Sequence, residues 1–318
     1  MGSVSGVDAA GQQEEDAASQ SDQDAASQPS KDVASRPDED AEPGGLRVML
    51  AALRCQKGDW PGNLEAHRRV LRLAREQGCQ LAVFPEMSLS GSLDPGANPD
   101  ALLRLDGEPV RLLAESTAEL AMAAIFGLSE RGEDGNCYIT QAYAAQGRLA
   151  GAYRKRHLGD DEEGYTPGTQ GAVFQFGALR FGIAICAEGG VDFPFDEPAA
   201  AGARVIFFCA APGLYGRRTD EESWRSGHAW WETCGLGDAR RHAARTGAWV
   251  ALTTQAGSAQ DEDFPGLAAL VDPAGQVVAR LPDWREGTLV VDVPLSVAAG
   301  PRAGIGRWPT LSRPPFPG

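Results

Sequence analysis

The stretch Phe181-Gly-Ile-Ala-Ile-Cys-Ala-Glu-Gly-Gly190 restricts the possible folds more than any other. Small and β-branched apolar residues running into paired glycines are the pattern of a buried strand that leaves through a tight turn. A side chain at such a strand end stands on a rigid base yet can face a cleft, and the exposed N–H groups of the turn can stabilise a developing oxyanion. Cys186 occupies that place. Taken alone it reads two ways, as a nucleophile or as a small buried hydrophobe.

Two further stretches bear on the choice. Leu81-Ala-Val-Phe-Pro-Glu-Met-Ser-Leu-Ser-Gly91 is a second apolar strand, ending in one carboxylate, Glu86, before a turn. Tyr153-Arg-Lys-Arg-His-Leu158 follows the strand-like Leu149-Ala-Gly-Ala-Tyr153 and sets Lys155 among other cations. Separately, Glu86 reads as a turn residue and Lys155 as part of a solvated basic face. Taken together, a strand-end Glu, a Lys and a strand-end Cys, roughly 70 and then 30 residues apart, resemble the Glu-Lys-Cys set of the nitrilase superfamily of carbon-nitrogen hydrolases. Gly182-Ile-Ala-Ile-Cys186 is similar to that family's nucleophile strand, and Ala201-Gly-Ala-Arg-Val-Ile206 to the strand entry that follows it. Phe264-Pro-Gly-Leu-Ala-Ala-Leu-Val-Asp-Pro-Ala-Gly-Gln-Val-Val278 resembles a late hairpin built on an Asp-Pro-x-Gly turn. The similarity runs from about residue 46 to about residue 294.

The resemblance implies a four-layer αββα sandwich, where the alternation of strand and helix alone supports only the α/β class. It also implies a reaction. A thiolate is an effective nucleophile, and a cysteine needs a nearby base or cation to supply it near neutral pH. Glu86 would take the thiol proton and pass it to a leaving amine, while Lys155 and the N–H of Ala187 stabilise the charge that builds on the substrate. Attack by Cys186 on an amide-type small molecule, loss of ammonia or an amine, and hydrolysis of the thioester complete the cycle, with no metal or organic cofactor. A nitrilase or an acyl-transferring member would use the same residues, and a non-catalytic binding protein could keep the same fold. The family's second glutamate is matched in Gly159-Asp-Asp-Glu-Glu-Gly-Tyr-Thr-Pro-Gly168, where alignment on Tyr165 selects Glu162, with Glu163 one step away. Four consecutive acidic residues equally suit a solvated loop.

Departures from the family pattern bear on the substrate. After Cys186 the chain carries Glu188, Gly189 and Gly190, and a displaced Phe193-Pro-Phe-Asp-Glu197. The arginine that several members place here to hold a substrate carboxylate is missing, which disfavours a carbamoyl amino acid. The segment Gly213 to Cys234 looks like an insertion, and Trp224, Trp230 and Trp231 in it would wall an apolar pocket or serve as core or interface residues. Use of C-terminal extensions in dimer contacts within the family implies a homodimer or higher homo-oligomer.

Composition separates a tail from a body. Residues 1–45 are Ala, Ser, Gln, Asp and Glu with almost no large apolar side chain, and are expected to be disordered. They hold eleven acidic residues against Lys31 and Arg36, which is −9 of the chain's −15 and leaves −6 on the remainder. A mildly acidic body argues against a nucleic-acid surface. Residues 46–318 are read as one hydrolase domain. Neither a signal peptide nor an apolar run of about 20 residues is visible, so a cytoplasmic location and no membrane contact are expected. Six cysteines lie scattered without CxxC pairing, suggesting reduced thiols rather than a zinc site or disulfide framework.

Along the body, Leu46–Leu53 reads as a strand, Asn63–Gly78 as a helix capped by Asn63, and 109–120 as another helix. Strands are expected at 122–127, 137–143, 149–153 and 249–254, with a helix over 237–247. His67 and His242 are read as structural, and Asp261-Glu-Asp263 as a loop able to attract an amine.

Overall fold

The computed structural model describes residues 45–214, 221–281 and 285–295. The acidic segment up to residue 44, residues 215–220 of the Trp-rich stretch and the Pro/Gly-rich close from residue 296 lie outside the described residues. Gly45, assigned from composition to the acidic tail, instead opens the first strand.

The chain begins with β1 (Gly45–Ala52), α1 (Trp60–Glu76), β2 (Leu81–Val83), α2 (Glu108–Glu119), β3 (Ala123–Arg131), β4 (Cys137–Ala145) and β5 (Arg148–Arg154). It continues through β6 (Phe174–Phe176), β7 (Leu179–Ile185), α3 (Phe193–Ala200), β8 (Val205–Ala210), α4 (Glu221–Thr233), α5 (Gly235–Thr246) and β9 (Trp249–Thr254). The hairpin β10 (Ala256–Ala259) and β11 (Glu262–Pro265) precedes β12 (Ala268–Val271), β13 (Val277–Arg280) and β14 (Gly287–Pro294).

The strands form two six-stranded sheets, ordered β14-β1-β2-β3-β4-β5 and β13-β12-β9-β8-β7-β6, beside the separate β10-β11 pair. Each large sheet has three parallel strands at its centre, β1-β2-β3 and β8 between β7 and β9, flanked by antiparallel ones. Alternation along the strands explains the layering, because successive side chains leave opposite faces. Val48 and Leu50 of β1 join Leu81, Val83 and Ile125 against Phe181, Ile183, Ile185, Val205 and Phe207 of the other sheet. Met49 and Ala51 face the opposite way, into a second core with Leu71 and Leu113 of α1 and α2. On the far side Ala184, Ile206 and Phe208 pack against Phe195 of α3 and Leu236 and Ala239 of α5. The order helix, sheet, sheet, helix is the expected αββα sandwich. Each fully buried Leu, Ile or Phe in these cores contributes about 1.5–3 kcal/mol.

One capping expectation is corrected. Helix α1 starts at Trp60, with Asp59 as its cap accepting from the Gly62 N–H at 3.1 Å and Pro61 in the first turn. Proline at this position loses no helical hydrogen bond, so the helix begins earlier than Asn63. Asn63 is instead buried, accepting from the Gln56 N–H at 2.8 Å and donating to the carbonyls of Gln56 and Leu89.

Candidate active site

Glu86 stands just past the end of β2 and is 1% exposed. Its loop is held from several sides. The carbonyls of Phe84 and Glu86 accept from the side-chain amides of Gln141 and Gln255, each at 2.9 Å. Met87 then turns the chain with φ at +50°, left-handed backbone that a non-glycine residue adopts only under constraint from its surroundings. Beyond it, Ser88 Oγ lies 2.9 Å from His67 Nε2 and accepts from the Gly127 N–H at 3.1 Å. The carboxylate so placed accepts from the Ala211 N–H at 2.7 Å and from Lys155 Nζ at 2.9 Å.

Lys155 follows β5 and is wholly buried, contrary to a surface reading of its basic cluster. Its backbone N–H donates to Ile139 at 2.8 Å, and its carbonyl accepts from Gly168 at 2.7 Å. The ammonium donates to both Glu86 and Glu162. Glu162 is fixed in turn by the Gly159 N–H, 2.6 Å from Oε2, whereas Glu163 is exposed. Of the two candidates for the second glutamate, the structure brings Glu162 to the lysine.

Cys186 follows directly on β7 and starts a short 3-10 turn through Gly190, with φ at +41°. It is half-buried, as is Ala187 after it. On one side it packs with Trp224 and Trp230 against Ala210, Leu214 and the buried Trp231. Gly235 makes room for that wall, since a Cβ there would lie 2.0 Å from the Trp231 ring. On the other side are the charges.

Burial sets the electrostatics. It raises the Glu86 carboxyl to about 7, ahead of Lys155, which pulls the other way, and of Glu162, which adds to the rise. Burial also opposes the Lys155 charge, but Glu86, Cys186 and Glu162 outweigh it and the ammonium holds its proton more tightly than usual. The Cys186 thiol is pushed well up by burial and by Glu86, with Lys155 offsetting part of this. The resting arrangement is thus a thiol beside a carboxylate whose proton affinity is near neutral and a permanent cation, which suits proton transfer followed by charge stabilisation.

His67 and His242 are buried, as the sequence suggests, and burial lowers them to about 4 and about 3. Asp261 and Glu262 do not wait in an open loop: each lies 2.7 Å from Lys57, and Glu262 opens β11. Among the described residues no group of His, Cys, Asp and Glu could hold a metal ion, the six cysteines are free, and no helix is long and apolar enough to cross a membrane. Gln141, Gln255 and Ser88 are not marked as functional by the sequence, and Glu188 stands out there only as a departure from the family pattern. Their signal was a polar residue inside or just beyond an apolar run, as in Tyr138-Ile-Thr-Gln-Ala-Tyr143.

Fold and sequence together define the class. The sequence model of the carbon-nitrogen hydrolase family matches residues 48–302, and the chain belongs to that family. Its relatives include a glutamine-dependent NAD(+) synthetase of Thermotoga maritima, 28% identical over 266 residues, covering 79% of this chain. That match covers 42% of the synthetase, so the chain spans less than half of that relative's length. An N-carbamoylputrescine amidase of Solanum lycopersicum is 24% identical over 81% of this chain and 90% of its own. Among solved structures, an amidase of Nesterenkonia AN1 from the nitrilase superfamily shares the fold with a TM-score of 0.67 at 23% identity, over 80% of this chain and 92% of that one. One form of the Nesterenkonia amidase carries the acetamide moiety of fluoroacetamide on its active site cysteine.

Proposed function

We propose that this protein hydrolyses the carbon-nitrogen bond of a small amide or carbamoyl amine through a thioester on Cys186. The observation that carries this reading is the buried chain of Glu86, Lys155 and Glu162 whose charges act on the Cys186 thiol. Glu86 takes the thiol proton as sulfur attacks the carbonyl carbon. Lys155 and the Ala187 N–H stabilise the oxyanion, and Glu162 holds the ammonium in place. Collapse of the tetrahedral species breaks the C–N bond as Glu86 returns the proton to the leaving nitrogen. Water, deprotonated by Glu86, then attacks the thioester; the acid departs and the thiol is restored. The acetamide moiety carried by the Nesterenkonia amidase's active site cysteine is an adduct at sulfur, which supports a nucleophilic cysteine at the matching place here. Trp224, Trp230 and Trp231 give the acyl side of the site an apolar wall.

A nitrile substrate would use the same thiol and base, so the test must separate the classes. Ammonia release is measured from a panel of simple amides, glutamine, carbamoyl amines, carbamoyl amino acids and nitriles, with Cys186→Ala as control. Release from an amide or carbamoyl amine that vanishes in the variant is the expected result. Release only from nitriles, or turnover surviving in Cys186→Ala, would overturn the reading.

A further inference from the structure

Glu188 lies two residues beyond Cys186 and is sealed from solvent. Its carboxylate collects donors from two different strand ends. Oε1 accepts from the Tyr153 hydroxyl at 2.7 Å and from the N–H groups of Arg156 and His157 at 2.8 and 3.4 Å. Oε2 accepts from the Ile185 N–H at 2.8 Å. The first three donors bracket Lys155, and the fourth immediately precedes Cys186. One planar group therefore joins the segment that presents the ammonium to the segment that presents the thiol.

That link has a property the surrounding core lacks. Lys155 leaves one sheet and Cys186 the other, and the two sheets meet through apolar side chains such as Ile139, Tyr143, Phe181 and Ile183. Apolar burial is non-directional and leaves the offset between two faces loosely defined, whereas hydrogen bonds to a carboxylate have narrow distances and angles. A buried carboxylate is stable only when its lone pairs are filled, and here they are filled by the elements that need fixing. The Arg156 guanidinium seals the arrangement from outside, bonding Glu197 at 2.6 Å and reaching the Tyr153 hydroxyl at 3.5 Å.

We propose that Glu188 is a positioning residue that holds Lys155 and Cys186 at reacting distance by tying the end of β5 to the turn after β7. This rests on the reading of Cys186 as the nucleophile. In Glu188→Gln the shape is kept, but an NH2 group replaces one accepting oxygen and faces an N–H. Tyr153→Phe removes a single donor and leaves the other three. Each full-length variant is compared with wild type for melting temperature, for the rate of Cys186 alkylation by iodoacetamide across pH, and for kcat and KM on the amide that the panel identifies.

Displacement of reacting groups by an ångström costs about 10²-fold. Glu188→Gln is therefore expected to lower both kcat and the alkylation rate by about that factor, with KM much less affected, and Tyr153→Phe to lower both by about tenfold. If Glu188→Gln does not fold, Tyr153→Phe decides. Variants that melt earlier yet alkylate and turn over at wild-type rates would reduce Glu188 to a structural staple and overturn the proposal. The alkylation arm needs no substrate. Slowed alkylation alongside a wild type silent on every amide would leave the positioning role standing and remove the proposed reaction.

Discussion

Glu86 is where local structure turns into pH dependence. A carboxyl raised to about 7 by burial is protonated in acid, and a protonated carboxyl cannot take the Cys186 proton. With a suitable amide, kcat/KM should rise as pH increases through about 7. Glu86→Gln, which cannot accept a proton, should lose about 10²–10⁴-fold and leave no such limb. A wild-type limb in the ordinary carboxylate range, or a glutamine variant of near-normal activity, would rule Glu86 out as the base. At this scale the sequence was informative about chemistry and poor about support. Glu86, Lys155 and Cys186 stand out only jointly, because their order and spacing resemble the family's Glu-Lys-Cys set. The partners that hold them, Gln141, Gln255 and Glu188, lie 57, 169 and 35 residues along the chain from the groups they bond. No local pattern marks such pairings.

Among elements, the close approach of β3 to the Glu86 loop limits what either can become. Gly127 sits opposite that loop, and a Cβ there would lie 2.2 Å from the Met87 nitrogen and 2.7 Å from the Pro85 carbonyl oxygen. These are backbone atoms, which cannot rotate away. Gly127→Ala should force the loop outward, lowering stability by about 1–3 kcal/mol and kcat by about 10²-fold. Denaturant unfolding and steady-state kinetics on the same preparation check this, and an unchanged kcat would show that the loop tolerates the shift. Strands such as β1 and β7, and the β4-β5 hairpin with its turn at Gln146-Gly147, were legible because short apolar runs and turn residues are local signals. Helix α4 and the β10-β11 pair were not. The first was read as a Trp-rich insertion and the second as an acidic loop, and both are stabilised by distant contacts, such as Lys57 on Glu262 and His228 Nε2 at 3.2 Å from the Pro265 carbonyl.

For the whole molecule, the layered architecture predicts how acid acts on it. The αββα order followed from the family resemblance rather than from any single element, since composition alone supports only α/β. Two of the buried histidines of the outer helices have lowered proton affinity: His67 of α1, its ring 4.2 Å from that of Phe84, and His242 of α5, stacked 3.7 Å from Phe195 of α3. Their folded-state values, about 4 and about 3, lie below the unfolded value of 6.5. The unfolded chain therefore takes up protons first, so the stability they contribute is full above pH 6.5 and lost as pH falls toward 4 and 3. Glu86 has the opposite sign. Its folded value of about 7 exceeds the unfolded 4.5, so its contribution is present below pH 4.5 and lost as pH rises through 7. On acidification the two histidines contribute a loss, opposed by Glu86 and by Glu188, whose carboxyl burial also raises. His67 alone accounts for about 3 kcal/mol of that loss at 1.36 kcal/mol per pH unit. His67→Gln, neutral at every pH, should be less stable than wild type near neutrality but lose about 3 kcal/mol less between pH 7 and 4. Denaturant midpoints measured at steps across that range decide the matter. Parallel wild-type and variant curves would show that His67 is protonated in the folded protein without penalty, and that acid sensitivity has its origin elsewhere than in these two histidines.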